Sequence, residues 1–110
     1  MLAIGIDPGT AITGVGLVER TDKDEIKAVH WSAILTEANS PLPERLEIIY
    51  RELNLILEEY RPDTAAVESL FFSRNVRTAM SVGQARGVVL LSLQQAGIPI
   101  SNYRPNEIKQ

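Results

Sequence analysis

The chain has 110 residues, enough for one domain that can bury a working core. It has no cysteine and a single histidine, which excludes disulfides, thiolate metal sites and histidine-rich zinc sites. The formal net charge is −3, but residues 1–60 hold five basic and eleven acidic side chains, whereas residues 61–110 hold six basic and three acidic ones. The second half could therefore form a positive rim around an acidic pocket, although chance clustering on a solvated surface explains the same pattern.

Membrane insertion and secretion are not expected. No segment approaches the roughly 20 apolar residues of a membrane span. The N-terminus lacks the basic region, apolar stretch and cleavage site of a signal peptide. We therefore expect a cytoplasmic protein without a membrane partner.

The chain opens on a short apolar run, residues 2–6, that ends at Asp7 and is followed by Pro8 and Gly9. This pattern predicts a buried strand whose last residue points out of the end of the sheet. Because an ionised carboxylate is costly to bury without partners, we expect Asp7 at the mouth of a site, beside a cation or hydrogen-bond donors.

Two more strands are predicted next, at residues 14–20 and 26–36, separated by a polar turn at residues 21–25. Three strands joined by short turns predict an antiparallel meander. His30 lies in the third strand and is most simply a residue on a face of the sheet.

The period of the apolar residues then changes, which predicts an amphipathic helix at residues 43–60 with proline near its first turn. Arg61 and Pro62 end this helix, and residues 64–67 form a fourth strand that leads to Glu68. A helix between two strands favours a right-handed crossover to a parallel strand. The fourth strand can then lie beside the first, with Asp7 and Glu68 at the same end.

A long helix is predicted at residues 75–96, with Gly97 as its C-terminal cap, and a fifth strand begins at residues 98–100. The predicted fold is α/β, a mixed sheet of an antiparallel meander plus parallel strands, flanked by helices. Residues 107–110 look like the first turn of another helix that has no partner, so we expect a single domain truncated at its C-terminus.

Two carboxylates at the ends of neighbouring strands, roughly 5 Å apart, repel each other unless a cation lies between them. Magnesium suits such a site, since it takes oxygen ligands and often binds through one or two carboxylates plus substrate phosphates. A pair of such ions about 3.5–4 Å apart can activate a water and stabilise the leaving oxygen of a phosphodiester. Spacing alone leaves a structural alternative open, in which Glu68 pairs with Arg74 or Arg77 and Asp7 caps the following turn.

The motifs of this chain resemble, in order and spacing, those of the RuvC family of Holliday junction resolvases, and the resemblance runs the whole 110 residues. The matching positions are Gly5-Ile6-Asp7-Pro8-Gly9-Thr10, Thr13-Gly14, Val67-Glu68, Phe71-Phe72, Asn75, Thr78-Ala79, Val82-Gly83-Gln84-Ala85-Arg86-Gly87, Gly97-Ile98-Pro99, Tyr103, Pro105 and Ile108-Lys109.

The resemblance implies a ribonuclease H-like fold and metal-dependent cleavage of paired strands in a four-way DNA junction. Asp7 and Glu68 would be catalytic metal ligands for Mg²⁺, with two ions in a full active site and Mn²⁺ as a substitute. A homodimer and a branch-migration complex would be the protein partners. Family members continue with a late helix that carries an additional pair of acids, which this chain lacks, so we expect the fragment to be inactive or nearly so.

The same resemblance assigns DNA contacts. Phe71 is the better candidate for stacking on an unpaired base, a contact worth about 1–3 kcal/mol, and Phe72 for core packing. From the charge distribution, Arg74 and Arg77 are candidates for a positive rim that binds DNA, and Asn75 is a further candidate. Arg86 is a candidate too, although it could equally pair with an acid.

Gly83 and Gly87 are four residues apart in the predicted second helix, so they lie on one face, which Ala79 extends. Each glycine costs about 1 kcal/mol of helix propensity relative to alanine. Close approach of another backbone would offset that cost, either from a second subunit or from the chain's own sheet. The resemblance favours a dimer, which fits two active sites that cut two symmetric strands.

Two other functions fit part of the pattern. A strand, Asp and Gly-Thr followed by a second strand also opens the actin and sugar-kinase ATPases, which would make this an ATP-binding domain. Those proteins need a second lobe, and the segment after Glu68 has no place in them. A non-catalytic dimerisation module of the same fold is the third alternative.

Overall fold

The computed structural model describes residues 1–68 and 76–103. Within these ranges the chain forms a five-stranded sheet of order β3-β2-β1-β4-β5. The strands are β1 (Leu2–Asp7), β2 (Ile12–Arg20), β3 (Ile26–Leu35), β4 (Thr64–Glu68) and β5 (Ile100–Tyr103), and the helices are α1 (Leu42–Tyr60) and α2 (Val76–Gln95).

The pairing of the strands confirms the predicted mixed sheet. β1, β2 and β3 pair antiparallel in sequence order, which is the predicted meander. β4 lies parallel to β1, and β5 lies parallel to β4. The crossover through α1 therefore places the fourth strand beside the first, as the sequence indicated.

Both helices pack on one face of the sheet. Alternate strand residues point toward them, and the shared core contains the following buried side chains from strands and helices: Ile4, Ile6, Val15, Leu17, Ile34, Ala65 and Val67 with Ile49, Leu53, Leu57, Ala85, Val89 and Leu93. The other strand residues point to the opposite face, which no helix of the described ranges covers. In the part of the chain that the structure describes, the sheet therefore has one packed face and one face that we call the open face.

The helix ends follow the predicted signals. Arg61, with a left-handed φ of 47°, donates its N–H to the carbonyl of Leu57 and ends α1. At the end of α2, Gly97 has a φ of 73° and donates its N–H to the carbonyl of Gln94, while the Ile98 N–H bonds to the carbonyl of Leu93. These two bonds form the Schellman motif, in which glycine takes the left-handed position at lowest cost.

The fifth strand begins at Ile100, so the prediction that it begins at Ile98 is wrong by two residues. The reason is local, because the Ile98 N–H is committed to closing α2 and the Ile98 side chain is buried. Pro99 has no N–H to offer the sheet, although its carbonyl accepts from Ala65. The predicted turn at residues 103–106 and the helical turn at residues 107–110 lie, except for Tyr103, outside the described residues.

Candidate metal centre

The structure brings Asp7 and Glu68 together at one end of the sheet. They are the last residues of the neighbouring parallel strands β1 and β4. The register pairs Ile6 with Val67, so the next residues along the two strands are the two acids. Since Ile6 and Val67 are buried on the helix-covered face, alternation places both carboxylates on the open face.

The electrostatics of the pair show that the two carboxylates interact. Burial raises the pKa of the Glu68 carboxyl above its ordinary value, and the negative charge of Asp7 and a hydrogen bond to it raise this pKa further. Glu68 is half-buried, whereas Asp7 is exposed at the rim. A cation between the two groups would remove the repulsion and favour both ionised forms.

The donor set fits a hard divalent cation. Two carboxylates offer oxygen ligands only, which is the chemistry that Mg²⁺ prefers. Among the residues that the structure describes, no group of three or more His, Cys, Asp or Glu side chains could hold a metal ion. A cation bound by this pair would therefore complete its coordination shell with water or phosphate oxygens.

The turn that follows Asp7 is held by hydrogen bonds of its own. The hydroxyl of Thr13, which is fully buried, donates to the carbonyl of Gly9 at 2.7 Å and accepts from the Gly9 N–H at 3.3 Å. A Cβ at Gly9 would lie 2.3 Å from the carbonyl oxygen of Ile12, so no other residue fits there without a shift of the backbone. Thr13 and Gly9 thus fix the shape of the turn that follows Asp7.

A groove of about 720 Å³ on the open face leads to the two carboxylates. Its floor consists of small residues that face each other across the strands, with Gly5 opposite Gly16 and Ala66 on the other side of Gly5. Trp31, which is 77% exposed, pairs with Gly16 and forms one wall. The sequence reasoning missed this groove, although glycine at alternate positions of two paired strands was a readable signal.

The predicted DNA-binding residues are described only in part. Phe71, Arg74 and Asn75 lie outside the described residues, together with Phe72. Arg77 lies in the first turn of α2, but its side chain is outside the description, so ion pairing of Glu68 with Arg74 or Arg77 stays open.

The remaining predicted residues lie farther along α2. Arg86 is half-buried there. Added Cβ atoms on Gly83 and Gly87 would meet nothing within 4 Å, so packing of these glycines on the chain's own sheet is wrong. Met80 and Leu91 are 60% and 50% exposed on the same helix. Ala79, Gly83, Gly87 and these two apolar neighbours thus form an open surface, which we call the α2 face.

His30 packs against Tyr60, as expected for a residue on a face of the sheet. Its Nδ1 lies 3.2 Å from the hydroxyl of Tyr60, and the two ring centroids are 5.0 Å apart. Burial raises the pKa of the Tyr60 hydroxyl, and a hydrogen bond to Glu59 adds to the effect. The pair joins β3 to the end of α1.

Comparison with known proteins agrees with this geometry. Residues 3–110 match the family described as "Crossover junction endodeoxyribonuclease RuvC". The chain is 56% identical to the crossover junction endodeoxyribonuclease RuvC of Chloroflexus aggregans and 47% identical to that of Syntrophomonas wolfei. It aligns over all 110 of its residues and covers 66% and 63% of those two proteins, slightly less than two thirds of their length.

A solved structure of T. thermophilus RuvC in complex with Holliday junction substrate superposes on the chain with a TM-score of 0.92 at 34% identity. The superposition covers 100% of this chain and 70% of that one. The sheet order and this likeness confirm the ribonuclease H-like fold that the sequence implied.

Proposed function

Because the chain belongs to the RuvC family of crossover junction endodeoxyribonucleases, we propose that it carries part of the active site of a metal-dependent nuclease that resolves four-way DNA junctions. The observation that supports this most directly is the placement of Asp7 and Glu68 side by side on the open face. The T. thermophilus relative has been solved in complex with a Holliday junction as its substrate, which supports the choice of DNA.

Asp7 and Glu68 would hold Mg²⁺, with Mn²⁺ as a substitute and two ions in a complete site. When bound, the metal would supply Lewis acidity toward a phosphodiester and toward the attacking water. The protein's own contribution is to fix the carboxylates at the ends of two rigid strands, so that little rearrangement is needed when metal binds. Two carboxylates bind a divalent cation weakly, and the described residues supply no third ligand, so we expect the 110-residue chain to cleave a junction slowly.

The groove that ends at the two carboxylates supports an approach of DNA along the open face. Phe71 would stack on an unpaired base, and Arg74, Asn75, Arg77 and Arg86 would contact the backbone. Residues 61–110 carry more basic than acidic side chains, which favours phosphate binding there.

A partner in the branch-migration complex and a cytoplasmic location belong to the same proposal. Within the described ranges, neither helix combines the length and the apolarity needed to cross a membrane.

We further propose that two copies associate through the α2 face. Gly83 and Gly87 leave room for another helix, and Met80 and Leu91 supply apolar area beside them. If two α2 helices packed closely at Gly83 and Gly87, the contact between them would offset the helix propensity that the two glycines cost. A two-fold dimer would present two carboxylate pairs to two strands of equal sequence.

The proposal is tested with a synthetic four-way junction and Mn²⁺. Wild-type chain and Asp7→Asn are compared for junction binding by gel shift and for Mn²⁺ binding by electron paramagnetic resonance. We expect branched DNA to bind in preference to a linear duplex of the same length, and Mn²⁺ binding to be lost in Asp7→Asn. Equal binding of linear and branched DNA would contradict the assigned substrate. Stabilisation by ATP with Mg²⁺ in place of DNA would restore the kinase-like alternative.

A further inference from the structure

Thr36 makes two hydrogen bonds to the turn between β1 and β2. Its backbone N–H donates to the carbonyl of Ala11 at 3.1 Å. Its hydroxyl donates to the carbonyl of Thr10 at 2.6 Å. Two successive carbonyls of the turn are therefore held by a single residue that directly follows β3.

The direction of the Thr36 hydroxyl is set by Arg45. The Nε–H of Arg45 donates to the Thr36 hydroxyl oxygen at 2.8 Å. A guanidinium only donates, so the hydroxyl must accept from it and its single proton is left for the carbonyl of Thr10. Hydrogen bonds that run in one direction also polarise and strengthen one another.

The position of Arg45 is not explained by the stability of α1. It lies in the first turn of the helix, where the macrodipole disfavours positive charge. Among the described residues no carboxylate forms an ion pair with it. The hydrogen bond to Thr36 is therefore the polar contact that the structure shows for the Arg45 guanidinium.

The turn controls the end of β1. Asp7 is the last residue of that strand and pairs with Gly14 across the turn. A shift of the carbonyls of Thr10 or Ala11 would move the end of β1 and change the separation of the Asp7 carboxylate from Glu68. Metal ligands respond to such outer contacts, which typically change metal affinity by about 10–100-fold when they are removed.

We infer that Thr36 and Arg45 are positioning residues for the metal site: they hold the turn after β1 so that Asp7 meets Glu68 at the spacing a divalent cation requires. The inference rests on the proposed function, because it assigns these residues to the same metal site. It adds a link from α1 to β1 that lies outside the carboxylate pair.

The test uses the 110-residue chain with Mn²⁺ alone as the probe. Thr36→Val removes the hydroxyl at nearly constant shape, Thr36→Ser restores it, and Arg45→Met removes the donor but keeps the aliphatic stem. Arg51→Met, an exposed position on the same helix, is the matched control. Dissociation constants for Mn²⁺ are measured by electron paramagnetic resonance well below each variant's melting temperature.

We expect Thr36→Val and Arg45→Met to weaken Mn²⁺ binding by about tenfold, and Thr36→Ser and Arg51→Met to bind like the wild type. The Gly9 amide donates to the Thr13 hydroxyl within the turn. Measured without metal, hydrogen exchange at this amide should be faster in Thr36→Val and Arg45→Met than in the wild type, and unchanged in the other two variants. Wild-type Mn²⁺ affinity in a Thr36→Val protein that merely melts earlier would overturn the inference. A wild-type chain that does not bind Mn²⁺ would instead refute the proposed metal site, whatever the exchange at Gly9 shows.

Discussion

Replacing Asp7 by asparagine should stabilise the metal-free protein and destabilise the metal-loaded protein relative to the wild type. The substitution keeps the shape of the side chain and removes one of two like charges. The strands that carry Asp7 and Glu68 are paired, so the strands lie about 4.8 Å apart. We take this distance as the separation of the two carboxylate charges. Two unit charges at this spacing repel by about 3 kcal/mol at an effective dielectric constant of 20 and by about 1 kcal/mol in water.

The smaller value applies here, because Asp7 is exposed to water. Without metal we therefore expect Asp7→Asn to gain about 1 kcal/mol, or a melting temperature higher by about 4 °C. With metal at a hundred times its dissociation constant, the wild type gains about 2.7 kcal/mol from binding. The variant loses most of that gain, so the order of the two melting temperatures reverses.

The assay is thermal unfolding at pH 7 in low salt, with chelator or with Mn²⁺. Asp22→Asn, an exposed aspartate in the turn between β2 and β3, is the control and should change neither curve. If Asp7→Asn melts below the wild type in chelator, the two carboxylates do not repel. That result would favour the structural alternative, in which a basic side chain neutralises the pair.

Three further predictions concern pH, the α2 face and the end of α2. Because the pKa of Glu68 is raised in the folded state, the folded protein binds its proton more tightly than the unfolded chain. The contribution of Glu68 to the free energy of unfolding should therefore fall as the pH rises above 4.5, the ordinary pKa of a glutamate. The slope of melting temperature against pH should be shallower in Asp7→Asn than in the wild type. Gly83→Ala with Gly87→Ala should raise the stability of the monomer by about 1 kcal/mol per site and weaken self-association in sedimentation equilibrium; unchanged association would exclude the α2 face as the dimer contact. Gly97→Ala should cost about 1–2 kcal/mol in urea unfolding, because the residue has a φ of 73°, whereas a neutral result would show that the cap relaxes.

Much of the fold follows from local patterns that a sequence displays. The change from alternating to helical periodicity at Pro43 separates the meander from α1, and Gly97 indicates where α2 ends. The start of β5 was missed because the N–H of Ile98 bonds to the carbonyl of Leu93 and closes α2, so it is not available to the sheet. The sequence marks the helix end at Gly97, but the residue after the glycine is also taken up by the cap.

The candidate site was predictable to the extent that it lies at strand ends. Asp7 and Glu68 each follow an apolar run, which is visible in the sequence. The hydrogen bonds that hold the turn after β1 were not visible in the sequence, because those of the Thr36 side chain join it to Thr10, 26 residues earlier, and to Arg45, nine residues later. Threonine and arginine at those positions look like ordinary polar residues of a loop and a helix.

The open-face location of the carboxylates is set by residues that never touch a ligand. Ile6 and Val67 are 3% and 0% exposed, and their burial against the helices fixes the register of β1 and β4. A shift of one residue in β4 would turn Glu68 toward the helices and Val67 toward solvent. The cost of burying that charge and exposing the valine makes the alternative register unfavourable. The hydrophobic core therefore fixes where the two acids lie, and with them the candidate metal site.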